Sequence, residues 1–217
     1  MSRGDWFARD RAHFLPVFAS AADGAVGTAE PIGKAPAAAV RAAPEDPPRP
    51  EAAPPWLVKA LSYLGVHRAS DHHSRQIMAW AAELGGEAAK DYSCDLVPWC
   101  ALFANAVLLE TGHKGTGTLW ALDFAHWGVP LSDPAVGAFA PMKRAGGGHV
   151  AIVVGRDLHG NLMCVGGNQA SAVSIKPFPH RRPVGFRWPT EAALPATVDF
   201  AALPLVPSDG RFSTQEA

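Results

Sequence analysis

Pro98-Trp99-Cys100-Ala101-Leu102-Phe103-Ala104-Asn105-Ala106-Val107-Leu108-Leu109-Glu110 has a proline at its head, a cysteine two residues on, and Thr111-Gly112 behind it. Proline suits the first helical position, where its missing N–H is not needed, and glycine is a natural stop, so the stretch predicts a helix. The run Leu96 to Leu109 is uncharged and apolar-rich over 14 residues, short of the roughly 20 that span a bilayer. It predicts a helix buried inside a domain. With Pro98 as the first helical residue, Cys100 falls in the first turn, at the positive end of the helix dipole, where a thiolate is stabilised. Free cysteine is also among the most buried residue types, so packing competes with chemistry at this position.

Working outward, two helices are expected upstream. Trp56 to Leu64 follows Pro54-Pro55 and stops at Gly65. Ser74 to Leu84 sets Ile77, Trp80, Ala81 and Leu84 at helical spacing before Gly85-Gly86. A shorter helix is expected over Leu119 to Trp127, ended by Gly128. After Pro130 the texture changes to strands: Val136 to Ala140, then His149 to Val154, which is β-branched and glycine-bounded. The turn signal Asp157-Leu158-His159-Gly160-Asn161 leads to Leu162 to Val165, the alternating Val173 to Lys176, and Val184 to Trp188. Helices first and an antiparallel sheet afterwards predict an α+β fold.

The chain is 217 residues, with Lys+Arg 19 against Asp+Glu 20 and a net charge of −1. That balance offers no general attraction to nucleic acid or an anionic membrane, so neither nucleic acid nor a membrane span is expected. Three cysteines, Cys94, Cys100 and Cys164, cannot all pair, which leaves at least one free thiol. Residues 1–18 mix charges with Trp6, Phe7, Phe14 and Phe18 and read as a docking segment. From Ala19 to Pro55, 13 Ala, 8 Pro and 3 Gly take 24 of 37 positions. Such a stretch buries too little apolar surface to offset its ordering entropy, and we read 19–53 as a disordered linker. Six of the seven tryptophans lie between Trp56 and Trp188, so the folded domain is expected over 54–189, with 190–217 as an extension. Arg3, Asp5, Arg9, Asp10 and Arg11 interrupt the region where a secretory signal would need an apolar segment.

Chemistry gathers on three positions. His149 follows Gly146-Gly147-Gly148, which lets backbone approach closely and leaves the imidazole uncrowded. Asn168 follows Gly166-Gly167 at the end of the next strand, and adjacent antiparallel strands bring that end beside His149. An amide oxygen there can accept the imidazole N–H and fix its tautomer. Cys100, His149 and Asn168 then read as nucleophile, base and orienting group of a thiol hydrolase. Asp71-His72-His73, Cys94 and His113 are scattered ligand types without paired C-x-x-C or H-E-x-x-H spacing, and Gly115-x-Gly117 lacks the context of a dinucleotide site. No metal or other cofactor is expected.

Asp95-Leu96-Val97-Pro98-Trp99-Cys100-Ala101, Gly148-His149-Val150-Ala151 and Gly166-Gly167-Asn168-Gln169 resemble the NlpC-like and CHAP group of cell-wall cysteine amidases and peptidases. Pro54-Pro55-Trp56 and the segment Gly115-Thr116-Gly117-Thr118 to Trp127-Gly128 resemble a bacterial and phage-associated subgroup of it, over roughly Pro54 to Pro189. The resemblance implies a papain-like α+β core that cleaves peptidoglycan amide bonds, in stem peptides or between muramic acid and L-alanine. It carries over Cys100 as nucleophile, His149 as base and Asn168 as third residue, with Gln169 the near competitor. Asp95, Trp99 and Gln169 are expected to shape the substrate cleft. Relatives commonly open the strand before the histidine with Gly-Asp, where this chain has Gly137-Ala138. Peptidoglycan is the expected partner. Without a visible export signal the expected route to the wall is non-classical, as a phage-type lysin with lysis partners or as an effector with a secretion apparatus and an immunity protein. Two alternatives differ in class: a toxin acting on protein side-chain amides, and a wall-binding module without activity.

Overall fold

The computed structural model describes residues 53–86, 90, 92–208, 210 and 212. The chain divides into two units at Ala52/Ala53. The expected docking segment and all of the expected linker but Ala53 lie outside the described residues. The second unit runs α1 (Pro55–Ser62), α2 (Arg75–Leu84), α3 (Cys100–Leu109), a 3₁₀ turn (Ala121–His126), β1 (Val129–Leu131), β2 (Phe139–Arg144), β3 (Gly147–Arg156), β4 (Asn161–Gln169), β5 (Ala172–Pro179) and β6 (Phe186–Trp188). The strands form one antiparallel sheet in the order β1-β6-β2-β3-β4-β5. Helices precede an antiparallel sheet, so the fold is α+β.

α3 is apolar on every side except at Asn105 and buried from Cys100 to Leu108. A helix of that kind must be covered on all sides: α1 and α2 pack on one flank, β3 and β4 on the other. Trp80 and Phe103 join α2 to α3 with ring centroids 5.4 Å apart. The sheet curls on itself. After β5 the short segment 180–182 crosses to the outer edge of β2, where Pro183 bridges Met142 and the Val184 N–H donates to Pro141 O at 2.9 Å. Among the described residues no helix is long and apolar enough to cross a membrane.

Several boundaries differ from the sequence expectations. α3 starts at Cys100 with Trp99 as its N-cap, two residues beyond the expected Pro98 start. The helix expected over Leu119 to Trp127 is a 3₁₀ turn. The strand expected over Val136 to Ala140 is β2, which begins at Phe139 and continues through Pro141 to Arg144. A proline is tolerated there because Pro141 lies opposite Val150 at a position where no donor is required of it. The 190–217 extension carries no sequence pattern, yet its described part docks firmly. Pro204 O accepts the Arg156 N–H at 2.9 Å, Arg156 O accepts the Val206 N–H at 2.8 Å, and Leu203 and Val206 are buried.

Candidate active site

Cys100 is the first residue of α3, so the N–H groups of Cys100 and Ala101 have no intrahelical acceptor. The N–H of Val150, the residue after His149, lies close enough to act on the Cys100 thiol. Sheet geometry explains that contact. Pro141, opposite Val150, donates nothing and turns its carbonyl outward to Val184, so the Val150 N–H points toward β4. β3 and β4 are in register from Arg156↔Leu162 to Ile152↔Val165 and no further toward His149. The Val150 N–H left open there is the donor that acts on the Cys100 sulfur. Two glycines allow the approach. A Cβ on Gly167 would stand 2.6 Å from Phe103 Cβ and 2.8 Å from the Trp99 ring. One on Gly148 would stand 2.6 Å from Leu122 Cγ, so only glycine lets the 3₁₀ turn press on the start of β3.

His149 and Gln169 meet on the face of the sheet turned away from α3. His149 Nε2 lies 3.2 Å from Gln169 Oε1, and the ring stacks against Phe178 with centroids 5.7 Å apart. The amide of Gln169 is oriented by Ser174: its Nε2 donates to the Ser174 main-chain oxygen, an atom that can only accept. Oε1 therefore faces the imidazole and also can only accept, so the proton of the neutral ring resides on Nε2 and the lone pair on Nδ1. Nδ1 is the ring nitrogen nearer the His149 main chain, and the Val150 N–H that acts on the thiol belongs to the next residue.

The orienting amide is therefore Gln169, a correction to the expected Asn168. β4 pairs Gly166 with Ser174 but Gln169 with Ala172, so one extra residue is inserted between them. Asn168 takes up that insertion at φ 59°, a left-handed conformation asparagine reaches more easily than most residues. A one-residue bulge reverses which side chain faces which side. Gln169 is thereby swung onto the His149 face, while the buried Asn168 Oδ1 has no hydrogen-bond partner among the described residues. The next two residues, Ala170 and Ser171, also have positive φ, 54° and 64°. The Arg68 N–H donates to Ser171 O at 3.0 Å and holds that turn.

The electrostatics differ from the sequence expectation of a lowered thiol. Burial pushes the Cys100 thiol up from its ordinary value; the N–H groups of Val150, Ala101 and Cys100 itself and the charge of Arg144 oppose that rise without overcoming it. Cys100 is 2% and His149 0% exposed, so the resting site holds a neutral thiol. Desolvation outweighs the helix terminus because the helix end is itself covered.

Asp95 and Trp99, expected at the cleft, take structural places. The Asp95 carboxylate is buried and accepts the N–H groups of Ala69 at 2.9 Å and Ser74 at 3.0 Å, with His72 Nδ1 3.7 Å away. It staples the loop that leads into α2. Trp99 is wholly buried, packed near Trp80 and on Gly167. The segment Thr116-Gly117-Thr118 is held by Asn105, whose amide contacts Thr116 Oγ1, Thr118 O and the Gly117 N–H. Sequence reasoning passed over Ser174, Arg144 and the Val150 N–H. Ser174 alone left a signal, as the polar member of an alternating strand. Among the described residues no group of three or more His, Cys, Asp or Glu could hold a metal ion. No family model, no curated protein and no solved structure matches the chain.

Proposed function

We propose that the chain is a cysteine hydrolase of peptidoglycan amide bonds, a stem-peptide endopeptidase or N-acetylmuramoyl-L-alanine amidase with a papain-like core. One observation carries this reading: the N–H that acts on the Cys100 thiol belongs to the residue after an imidazole whose Nε2 is tied to Gln169 and whose lone pair is on Nδ1. The motifs around Cys100, His149 and Gly166-Gly167 resemble those of the NlpC-like and CHAP group and supply the wall substrate. In the reaction, the thiol gives its proton to His149 Nδ1 as sulfur attacks the carbonyl carbon. Because burial favours the neutral thiol, transfer accompanies attack. The developing oxyanion forms beside the N–H groups of Cys100 and Ala101, which have no intrahelical acceptor. Nδ1 then returns the proton to the leaving nitrogen, the C–N bond breaks, and a thioester on Cys100 remains. Water gives a proton to Nδ1 and attacks the thioester, and the carboxylic acid leaves as sulfur regains its proton. Gln169 holds the ring throughout.

Burial of both reacting groups favours a second reading, a wall-binding module with this fold and no chemistry. Digestion of purified sacculi by the full chain separates the two. The released muropeptides, identified by mass spectrometry, should show one new amino group and one new carboxyl group at a single amide. Cys100→Ala should release none. Binding of sacculi without release by the wild-type chain selects the module, and equal release by Cys100→Ala overturns the thiol mechanism.

A further inference from the structure

We propose that Arg144 and Trp120 form a carboxylate subsite beside the reacting groups, so that the chain selects peptides carrying a free carboxylate; this rests on Cys100 being the nucleophile. Arg144 ends β2 and Gly147 opens β3, directly opposite. A Cβ on Gly147 would stand 3.7 Å from Arg144 Nη2, 3.8 Å from Arg144 Cζ and 3.9 Å from Trp120 Cη2. Glycine there leaves a space about one methyl group wide that both the guanidinium and the indole edge border, and a carboxylate oxygen approaching it would meet both walls.

The guanidinium and the main chain that carries the indole are held in place before any ligand arrives. Arg144 Nε donates to Gly148 O at 3.1 Å and Nη1 to Ala145 O at 3.4 Å, which fixes the guanidinium plane. The remaining Nη1 and Nη2 donors form the fork that matches a carboxylate. Among the described residues no carboxylate lies within ion-pair distance of this cation. Trp120 is 54% exposed, yet its N–H donates to Thr118 Oγ1 at 3.3 Å and Thr118 Oγ1 donates to Asp123 Oδ2 at 2.5 Å. Asn105 anchors that same segment to α3. The charge of Arg144 also acts on the Cys100 sulfur, which places the slot within electrostatic reach of the attacking atom.

The test measures binding, so that it does not depend on turnover. Full-length Cys100→Ala is titrated with a soluble stem pentapeptide and with the same peptide after every carboxylate is converted to carboxamide. The free acid should bind at least tenfold more tightly, about 1.4 kcal/mol. Adding Arg144→Gln should bring the acid down to the affinity of the carboxamide, Arg144→Lys should restore part of the difference, and Lys143→Gln on the exposed neighbour should leave it intact. Equal affinity for the two forms, a preference that survives Arg144→Gln, or no binding of either form overturns the subsite. Sacculus digestion by the wild-type chain reports separately on the nucleophile. Failure there with the binding preference intact counts against the hydrolase and leaves the subsite standing.

Discussion

Replacing Gln169 by leucine, and separately Asn168 by glycine, divides the roles of two adjacent amides. Leucine at 169 removes the acceptor of His149 Nε2 and the donor to Ser174 in one step, in a place where His149, Gln169 and Ser174 are all buried. Each buried polar group left without a partner costs about 1–3 kcal/mol, so loss of the two contacts is worth roughly 2–6 kcal/mol of stability, less what the leucine side chain regains by packing. The chemical loss is separate. Without Oε1 nothing selects the Nε2–H tautomer, and a ring protonated on Nδ1 cannot accept the thiol proton. General base catalysis is worth about 10²–10⁴-fold, and a fall in that range is expected in the rate of muropeptide release. Asn168→Gly keeps the bulge, because glycine adopts φ 59° without steric cost, and it removes a carbonyl that has no hydrogen-bond partner among the described residues. That variant should hold its thermal midpoint and its activity within a few fold. Rates from sacculus digestion, paired with thermal unfolding to normalise for folded protein, decide the matter. An active, stable Gln169→Leu beside an inactive but folded Asn168→Gly would refute the assignment of the orienting role.

The remaining expectations concern charge. Burial raises the thiols of Cys100 and Cys164 and the hydroxyls of Tyr92 and Tyr63. For each group the unfolded chain loses its proton first, so stability is complete below the ordinary values near 9.0 and 10.0 and declines as pH rises past them. Denaturant melts between pH 8 and 10.5 should show a slope that approaches about 1.4 kcal/mol per pH unit for each group ionised only in the unfolded state; a flat profile would contradict the burial argument. Iodoacetamide should modify the half-buried Cys94 before Cys100, and Cys100 labelling should accelerate only above the ordinary thiol range. Rapid labelling of Cys100 at pH 6, located by peptide mapping, would show that the neutral resting thiol is wrong. Asp157 caps the β3–β4 turn by accepting the N–H groups of Asn161 at 2.8 Å and His159 at 2.9 Å and the Asn161 amide at 2.9 Å. Although burial raises it, these donors hold its carboxyl below the ordinary value near 3.8, and its contribution is present above that value and lost as pH falls below it. Asp157→Ala should cost about 1–3 kcal/mol at pH 7 in chemical denaturation, with the difference closing in acid.

What was legible in the sequence, and what was not, divides along the range of the interactions. Helices and strands announced themselves through local spacing: Ile77, Trp80 and Ala81 on one face of α2, Val150 to Val154 as β-branched sheet, and the glycines that bound them. Cys100 and His149 stood out as candidates for the same reason, since a proline-led apolar helix and a glycine-led strand are local patterns. The third member of the site did not. Its identity turns on one inserted residue in β4, and an insertion is defined only against the neighbouring strand, here by the change from Gly166↔Ser174 to Gln169↔Ala172. Read alone, Gly166-Gly167-Asn168-Gln169 offers two amides in succession with opposite orientation, and nothing within the four residues chooses between them. The same limit governs the thiol. A cysteine at a helix start suggests a stabilised anion, but burial of that helix end raises the thiol, and the Val150 N–H, from a strand 50 positions later in the chain, opposes that rise without overcoming it. Pro141 shows how far such effects reach. A residue that looks unfit for a strand aims the Val150 N–H away from β2 and toward the gap where the sulfur sits. If Pro141 were replaced by alanine, the restored N–H would point outward beside Val184 and leave the Val150 donor in place. The arrangement thus rests on the parity of the β2–β3 ladder, which begins at the hairpin tip where Arg144 faces Gly147.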